Sequence, residues 1–224
     1  MLLIDSIIPT PWDTKVLGID TYEILEASAE TLKLALKKPG HYTVKVDPLS
    51  SKEILHAHGF YYCDTLIVPY CSPEKFVFYP HAGVSLSTDA PFQELAAIIP
   101  QAFTQGRFHR DFQIPNSKAD ERYIQWLQQL YDSQSLYVLK FNNTTAGFFA
   151  CSQNKILLHA IKDDFRGKGL AKYFWSAACR KMFDAGHPQI QSSISPASLP
   201  ALNLYVSLGF RFKNPLDIYH CLVK

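Results

Sequence analysis

Across residues 42–46 apolar and polar side chains alternate one by one, the pattern of a half-buried strand, until Asp47 and Pro48 break it. Residues 51–58 then read as a short helix stopped by Gly59, and residues 60–68 return to a strand. The same order recurs near the C-terminus. A strand over residues 189–194 breaks at Pro196, a helix follows over Leu199–Ser207, and after Gly209-Phe210 the chain enters a strand ending in residues 218–223. Laid side by side, Pro48-Leu49-Ser50 answers Pro196-Ala197-Ser198, His58-Gly59-Phe60 answers Leu208-Gly209-Phe210, and Tyr70-Cys71 loosely answers His220-Cys221. Such runs also recur by chance in α/β chains, so the repeat points to an internal duplication only alongside other signals.

Residues 71–80, with Pro73 and Pro80, read as a linker, which divides the chain into a small N-terminal unit over residues 1–78 and a larger one over residues 79–224. The larger unit opens with a strand at Val84–Ser87. A helix is expected over residues 91–103, with Pro91 in its first turn and Asp89 or Thr88 as its cap. A loop carrying Arg107, His109 and Arg110 precedes a helix over residues 119–131. Strands follow at Leu136–Phe141, residues 146–152 and Lys155–Ile161, the first two joined by a hairpin turn at Asn142-Asn143. A long helix over residues 169–185 closes at Gly186. The order is strand, two helices, three strands, helix, strand, helix, two strands, which defines an α/β domain with a mixed central sheet flanked by helices.

With 47% hydrophobic and 13% aromatic residues, the 224-residue chain can fill a substantial core. Its 22 Lys and Arg nearly balance 20 Asp and Glu, so the net charge of +2 gives no general reason to expect nucleic acid or an acidic membrane surface as partner. Any anion site must be local. The opening MLLIDSIIPTPW lacks a basic stretch and meets Asp5 and two prolines, unlike a signal peptide, and no apolar run reaches membrane-spanning length. Cys63, Cys71, Cys151, Cys179 and Cys221 are odd in number and never spaced CxxC, which argues against a disulfide framework or a metal site and for the cytoplasm.

The candidate chemistry lies in residues 156–171, an apolar strand running through a glycine-bearing loop into a helix. Free backbone N–H groups and the helix dipole converge on such a loop and make an anion cradle. Gly167 and Gly169 let the backbone approach a ligand; Lys168 adds charge, and Arg166 either adds charge or reaches back to brace the loop. The pattern is neither a Walker A loop nor a dinucleotide fingerprint. It resembles the pyrophosphate loop of the GNAT acetyltransferases, [Q/R]xxGx[G/A], met by Arg166, Gly169 and Ala171. One helix and one strand later, residues 201–210 resemble that family's AxxLYxxxGF segment, with Tyr205 in the tyrosine position. A narrower similarity, to dTDP-fucosamine acetyltransferases, rests on Thr10-Pro11-Trp12, the truncated N-terminal repeat, Ala102-Phe103-x-Gln105-x-Arg107-Phe108 and Tyr123-x-Gln125-Trp126. That similarity implies a partial GNAT-like unit ahead of the catalytic domain.

The resemblance implies acetyl-CoA as co-substrate, without a metal. Its pantetheine arm would pair with the backbone of His159, Ala160 and Ile161. Its pyrophosphate would sit on Arg166, Gly167, Lys168, Gly169, Leu170, Ala171 and Lys172, with Ser198 as a further contact. Tyr205 is the candidate acid, since a phenol of pKa about 10 can share a proton with a departing thiol. The general base is missing: Ser192 and Ser193 stand where many relatives have a glutamate, which leaves water or His159. A lone strand histidine is more often structural than functional, and Tyr205 read without the upstream loop would be a packing aromatic. Arg107 and Arg110, beside Phe103, Phe108 and Phe112, lie in the loop that borders the acceptor site in this family and suit a nucleotide-linked aminosugar, although a solvated basic loop explains them equally well. Other small amines, a peptide N-terminus and a silent acyl-CoA-binding module remain open, as does a homodimer.

Overall fold

In the computed structural model, which describes residues 6–224, polar alternation and turn residues translate into short strands and helices in close succession. Residues 1–5, on which the reading of the N-terminus partly rests, lie outside the described residues. The chain forms β1 (Ile7–Pro9), α1 (Pro11–Leu17), β2 (Thr21–Ile24), α2 (Ala29–Ala35), β3 (Gly40–Val46), α3 (Glu53–Ala57), β4 (Tyr61–Cys71), β5 (Val84–Ser87), α4 (Phe92–Ala96) and α5 (Ile99–Ala102). It continues with α6 (Asn116–Asp132), β6 (Leu136–Phe141), β7 (Thr144–Ser152), β8 (Lys155–Ile161), α7 (Ala171–Asp184), β9 (Ile190–Gln191), α8 (Leu199–Ser207) and β10 (Arg211–Val223).

Contacts group these elements into two units, and neither is a single stretch of chain. One comprises Met1–Leu66, Gln105–Arg122 and Pro215–Lys224; the other comprises Ile67–Thr104 and Tyr123–Asn214. A single cut near residue 78 does not describe this grouping, because β4, α6 and β10 each leave one unit and enter the other.

In the first unit β2 lies parallel to β3, with β1 antiparallel to β2 and the end of β10 antiparallel to β3, Thr43 facing His220. Ile24, Leu32, Tyr42, Val44, Leu55 and Phe60 form its core. The capping signals of its first helices are visible in sequence: Pro11 starts α1, Gly18 ends it at φ 72°, and the Ser28 side chain accepts from the Thr31 N–H to cap α2. Asp111 is the fixed point of this unit. Its buried carboxylate accepts from His41 Nε2 at 2.9 Å, His220 Nδ1 at 2.7 Å, the Tyr61 hydroxyl at 2.8 Å and the Gln113 N–H at 2.9 Å. Four donors compensate the burial of one charge, and they tie the 105–122 segment to β3, β4 and β10.

In the second unit the strands run β4–β9–β8–β7–β6–β5, antiparallel except for β8 beside β9. One face packs on α7 and α8 through Phe149, Phe174, Trp175, Cys179, Met182 and Tyr205. The other packs on α4, α5 and α6 through Leu95, Ile99, Leu127, Val138, Phe148 and Leu158. This is the mixed sheet flanked by helices expected from the sequence. Strands β5, β6 and β8 and helix α8 have the expected bounds, and Asn142 and Asn143 take φ 47° and 65°, both left-handed as a two-residue hairpin turn requires.

Three local expectations need correction. The helix over residues 91–103 is broken into α4 and α5, because Pro100 has no N–H to continue the ladder, and neither Thr88 nor Asp89 caps it: Pro91 holds the N-cap position. The helix over residues 119–131 begins earlier, at Asn116. The strand over residues 189–194 shrinks to Ile190–Gln191, for a reason that bears on the site.

Candidate active site

Strict alternation along β8 would put Ile156 on the face opposite His159 and Ile161. Pairing with β7 shifts register instead: Ala150 faces Leu158 while Cys151 faces Ile156, so Leu157 is an extra, bulged residue. Beyond the bulge the sides exchange. Ile156 and Ile161 join the α7 face, Leu158 and Ala160 join the opposite one, and His159 turns toward α7, its ring edge-on to Trp175 with centroids 4.7 Å apart.

On its other edge β8 pairs with β9 only at Lys155 opposite Gln191. The chain then follows β4 instead, the Ser192 N–H donating to Pro69 O and Ile67 bridging Ile194, while the Ser192 side chain donates to Ile156 O at 3.0 Å. From Leu157 onward this edge of β8 has no strand beside it among the described residues.

At the end of β8 the chain makes a 3-10 turn at Asp163–Phe165 and enters α7. Among the described residues none of the six backbone N–H groups from Gly167 to Lys172 has a hydrogen-bond partner. Gly167 and Gly169 lie at φ 70° and 71° with no atom within 4 Å of where a Cβ would stand, so the loop is turned by its glycines and open around them. Leu170 anchors it in the core. Unpaired donors in succession at the positive end of a helix form an anion cradle. Arg166 braces this loop: its Nε donates to Ile161 O at 2.8 Å, its Nη1 to Gln101 O at 2.9 Å, and it pairs with Asp163. The Lys172 ammonium lies over the Tyr79 and Tyr173 rings, and Ser198 stands at the N-cap of α8 without a side-chain capping bond.

Tyr205 projects from α8 and is fully buried, its hydroxyl 3.1 Å from His159 Nε2. Burial pushes its pKa above the usual phenol value, against the opposing influence of Ser192 and Trp175. Burial also pushes His159 down to about 4, so its imidazole is neutral near pH 7. Sequence reasoning named both residues but not Trp175 or the side chain of Ser192, since nothing in their spacing places them against a residue of α8.

Arg107 and Arg110 belong to the other unit. The Arg107 guanidinium lies over the Phe108 ring, 5.0 Å from its centroid, with no carboxylate partner among the described residues. Arg110 is committed to the buried Asp64, at 2.7 Å. His41, Asp111 and His220 are close enough for a metal ion, but their short separations are those of imidazole N–H groups bonded to a carboxylate whose acceptor sites are already filled. Among the described residues no helix is long and apolar enough to cross a membrane.

Residues 103–210, just under half of the chain, match the model of the acetyltransferase (GNAT) family. No curated protein matches the sequence. The fold is shared with a functionally unknown conserved protein from Staphylococcus epidermidis (TM-score 0.64, 11% identity, covering 95% of this chain and 89% of that one). It is also shared with a GCN5-related N-acetyltransferase from Sphaerobacter thermophilus (TM-score 0.61, 12% identity, 87% of this chain), of whose length this chain spans 65%. A third structure is described as a GCN5-related glucosamine N-acetyltransferase region in a fungal multi-domain GH3 β-N-acetylglucosaminidase (TM-score 0.57, 10% identity, 81% of this chain and 25% of that one). At these identities the likeness concerns the fold.

Proposed function

We propose that this chain transfers the acetyl group of acetyl-CoA to the primary amine of a nucleotide-linked aminosugar, by direct attack in a ternary complex. The observation that carries the acetyl-CoA part is the run of six unpaired N–H groups at Gly167 to Lys172, beside a strand edge left open from Leu157. The residues fit the molecule: a diphosphate takes consecutive backbone donors, and an extended amide-bearing arm takes the free edge of a strand. Gly167, Lys168, Gly169, Leu170, Ala171 and Lys172 hold the pyrophosphate, His159, Ala160 and Ile161 the arm, Arg166 the loop itself, and Ser198 is a further polar contact. Acetyl-CoA supplies the thioester. Attack of a neutral amine on its carbonyl breaks the C–S bond, and the Tyr205 proton passes to the departing sulfur. The proton shed by the new amide nitrogen returns through water or His159.

The sugar acceptor rests on Arg107 and Arg110 and on the motifs shared with dTDP-fucosamine acetyltransferases, and the N-terminal unit would be the partial GNAT-like unit that goes with them. Phe60 and Phe210 support that duplication: each follows a left-handed glycine and donates its N–H to the residue five positions back, Leu55 or Tyr205, at 3.0 Å. Acetyl-CoA consumption against dTDP- and UDP-aminosugars, polyamines and peptides tests the reading. Preference for another amine removes the sugar, and coenzyme binding without any turnover replaces the enzyme with a silent module.

Gly169→Glu tests the cradle. At φ 71° any side chain is strained by roughly 1 kcal/mol, so Gly169→Ala carries the strain without the charge. Acetyl-CoA affinity by calorimetry should fall more than about tenfold for the glutamate and little for the alanine. Equal affinities would remove the phosphates from this loop. Arg107→Ala should raise the acceptor KM roughly ten- to a hundredfold at unchanged kcat and unchanged acetyl-CoA KM, the effect of losing one charge-assisted contact present in ground and transition states. Arg110→Ala should also cost stability, since the buried Asp64 carboxylate loses its ion pair with Arg110. If neither acceptor constant moves, the loop binds no diphosphate.

A further inference from the structure

Among the described residues the buried Trp175 indole N–H has no well-formed hydrogen bond, although it lies close enough to the Tyr205 hydroxyl to act on its pKa. An indole nitrogen can only donate, and leaving such a donor unpaired in a core costs on the order of 1–3 kcal/mol. Its surroundings give it a use. Trp175 lies on α7 with its ring edge-on to His159, whose Nε2 is 3.1 Å from the Tyr205 hydroxyl, and the three residues pack in or against one buried cluster. A neutral phenol is a weak acceptor that asks little of this donor. A phenolate in the same place would be a full charge in an apolar core, where a donor already at hand is worth most.

We propose that Trp175 is a positioning residue for the acid: its indole N–H closes onto the Tyr205 oxygen as that oxygen gives up its proton. The inference rests on the reading of Tyr205 as the acid. In the balanced step the Tyr205 O–H bond breaks, its proton goes to the sulfur released by C–S cleavage, and the phenolate accepts the Trp175 N–H until a proton shed by the amide nitrogen restores the phenol. A donor that forms no well-made bond in the ground state and closes onto the oxygen afterwards favours the later state more, which is the requirement for accelerating a step. Of the other groups around the hydroxyl, His159 Nε2 already shares it at 3.1 Å, the Ser192 hydroxyl donates its own proton to Ile156 O, and Phe210 offers only its ring. Ser192 and Trp175 both act to lower the Tyr205 pKa against burial.

Trp175→Phe deletes the donor; 3-benzothienylalanine in place of Trp175 does so while keeping the bicyclic shape, should the phenylalanine variant fold poorly. Either should lower kcat about tenfold, with acetyl-CoA affinity and KM within about twofold of wild type. The Tyr205→Phe/Trp175→Phe double variant should be no slower than Tyr205→Phe alone, since the donor acts only through the tyrosine oxygen. A merely structural tryptophan predicts multiplied losses, and that result overturns the inference. A readout without turnover comes from 3-fluorotyrosine in place of Tyr205, titrated by its fluorine resonance. Removing the Trp175 donor should raise the ionisation midpoint by about one unit, the equivalent of a tenfold effect, and an unmoved midpoint overturns the inference as well. If Tyr205→Phe turns over normally, the acid reading falls and takes this inference with it; if Tyr205→Phe is slow while Trp175→Phe is normal, only the role of Trp175 falls.

Discussion

Tyr205→Phe should lower kcat by about ten- to a hundredfold or more while leaving acetyl-CoA affinity within about twofold, the scale on which a general acid contributes. The substitution keeps the ring, which is fully buried and packs against Phe210 with centroids 4.9 Å apart, so a packing role predicts near-normal turnover. Only the hydroxyl is lost, with its 3.1 Å contact to His159 and its interactions with Ser192 and Trp175. Because burial raises the pKa of Tyr205, the phenol stays protonated through the working range, and the wild-type rate should show no alkaline limb from this group near pH 8 to 9. A kcat within about twofold of wild type for the variant would end its assignment as the acid.

Asp111→Ala should destabilise the unit containing β3 and the end of β10 by about 3–5 kcal/mol, the scale for removing one partner of a buried charged network. It leaves two imidazoles, the Tyr61 hydroxyl and the Gln113 N–H without their acceptor in a core of negligible exposure. Hydrogen exchange of the β3 and β10 amides reads this directly, and protection unchanged to within about 1 kcal/mol would show that the network holds nothing. The wild-type protein should also lose stability on acidification. Burial lowers His220 to about 4, outweighing the Asp111 bond that favours its charged form, and the unfolded chain therefore takes up that proton first. Its contribution is complete above about pH 6.5 and declines as pH falls toward the folded value. For Asp111 burial acts to raise the pKa, but the bonds from His220 and His41 prevail and hold it well below the usual carboxylate range, so its contribution is lost below about pH 4. Both effects have the same sign, and unfolding midpoints measured between pH 7 and 4 should fall steadily.

What could be read from the sequence was what local pattern dictates. Strand β8 and helix α8 were found with their bounds because their apolar spacing is regular, and the loop at Gly167 to Gly169 was found because glycines before a helix have few other uses. Three kinds of feature were hidden. The bulge at Leu157 leaves the composition of β8 unchanged and is decided by pairing with β7, yet it determines which side chains share a face with His159. The parting of β9 from β8 follows from where β4 lies, 121 residues earlier in the chain, at Tyr70 opposite Gln191. The neighbours of Arg166 and Arg110 give each cation a structural partner that the sequence does not show, the carbonyls of Ile161 and Gln101 for one and the Asp64 carboxylate for the other. A lone charge in a sequence does not say which carboxylate or carbonyl will claim it.

The interleaving of the two units also fixes the order in which they are finished during synthesis. Residues 1–66 leave the ribosome first, but the strand that pairs with β3 comes from the segment after residue 214, by which time every residue of the other unit has already been made. Until then Tyr42 and Val44 lie on a strand paired with β2 on one edge and open on the other, and Asp111 lacks one of its two imidazoles. The part of the chain begun first is therefore closed last. Nascent chains arrested short of His220 expose an apolar strand edge that the completed chain hides, a window in which chaperone cover counts more than the final stability.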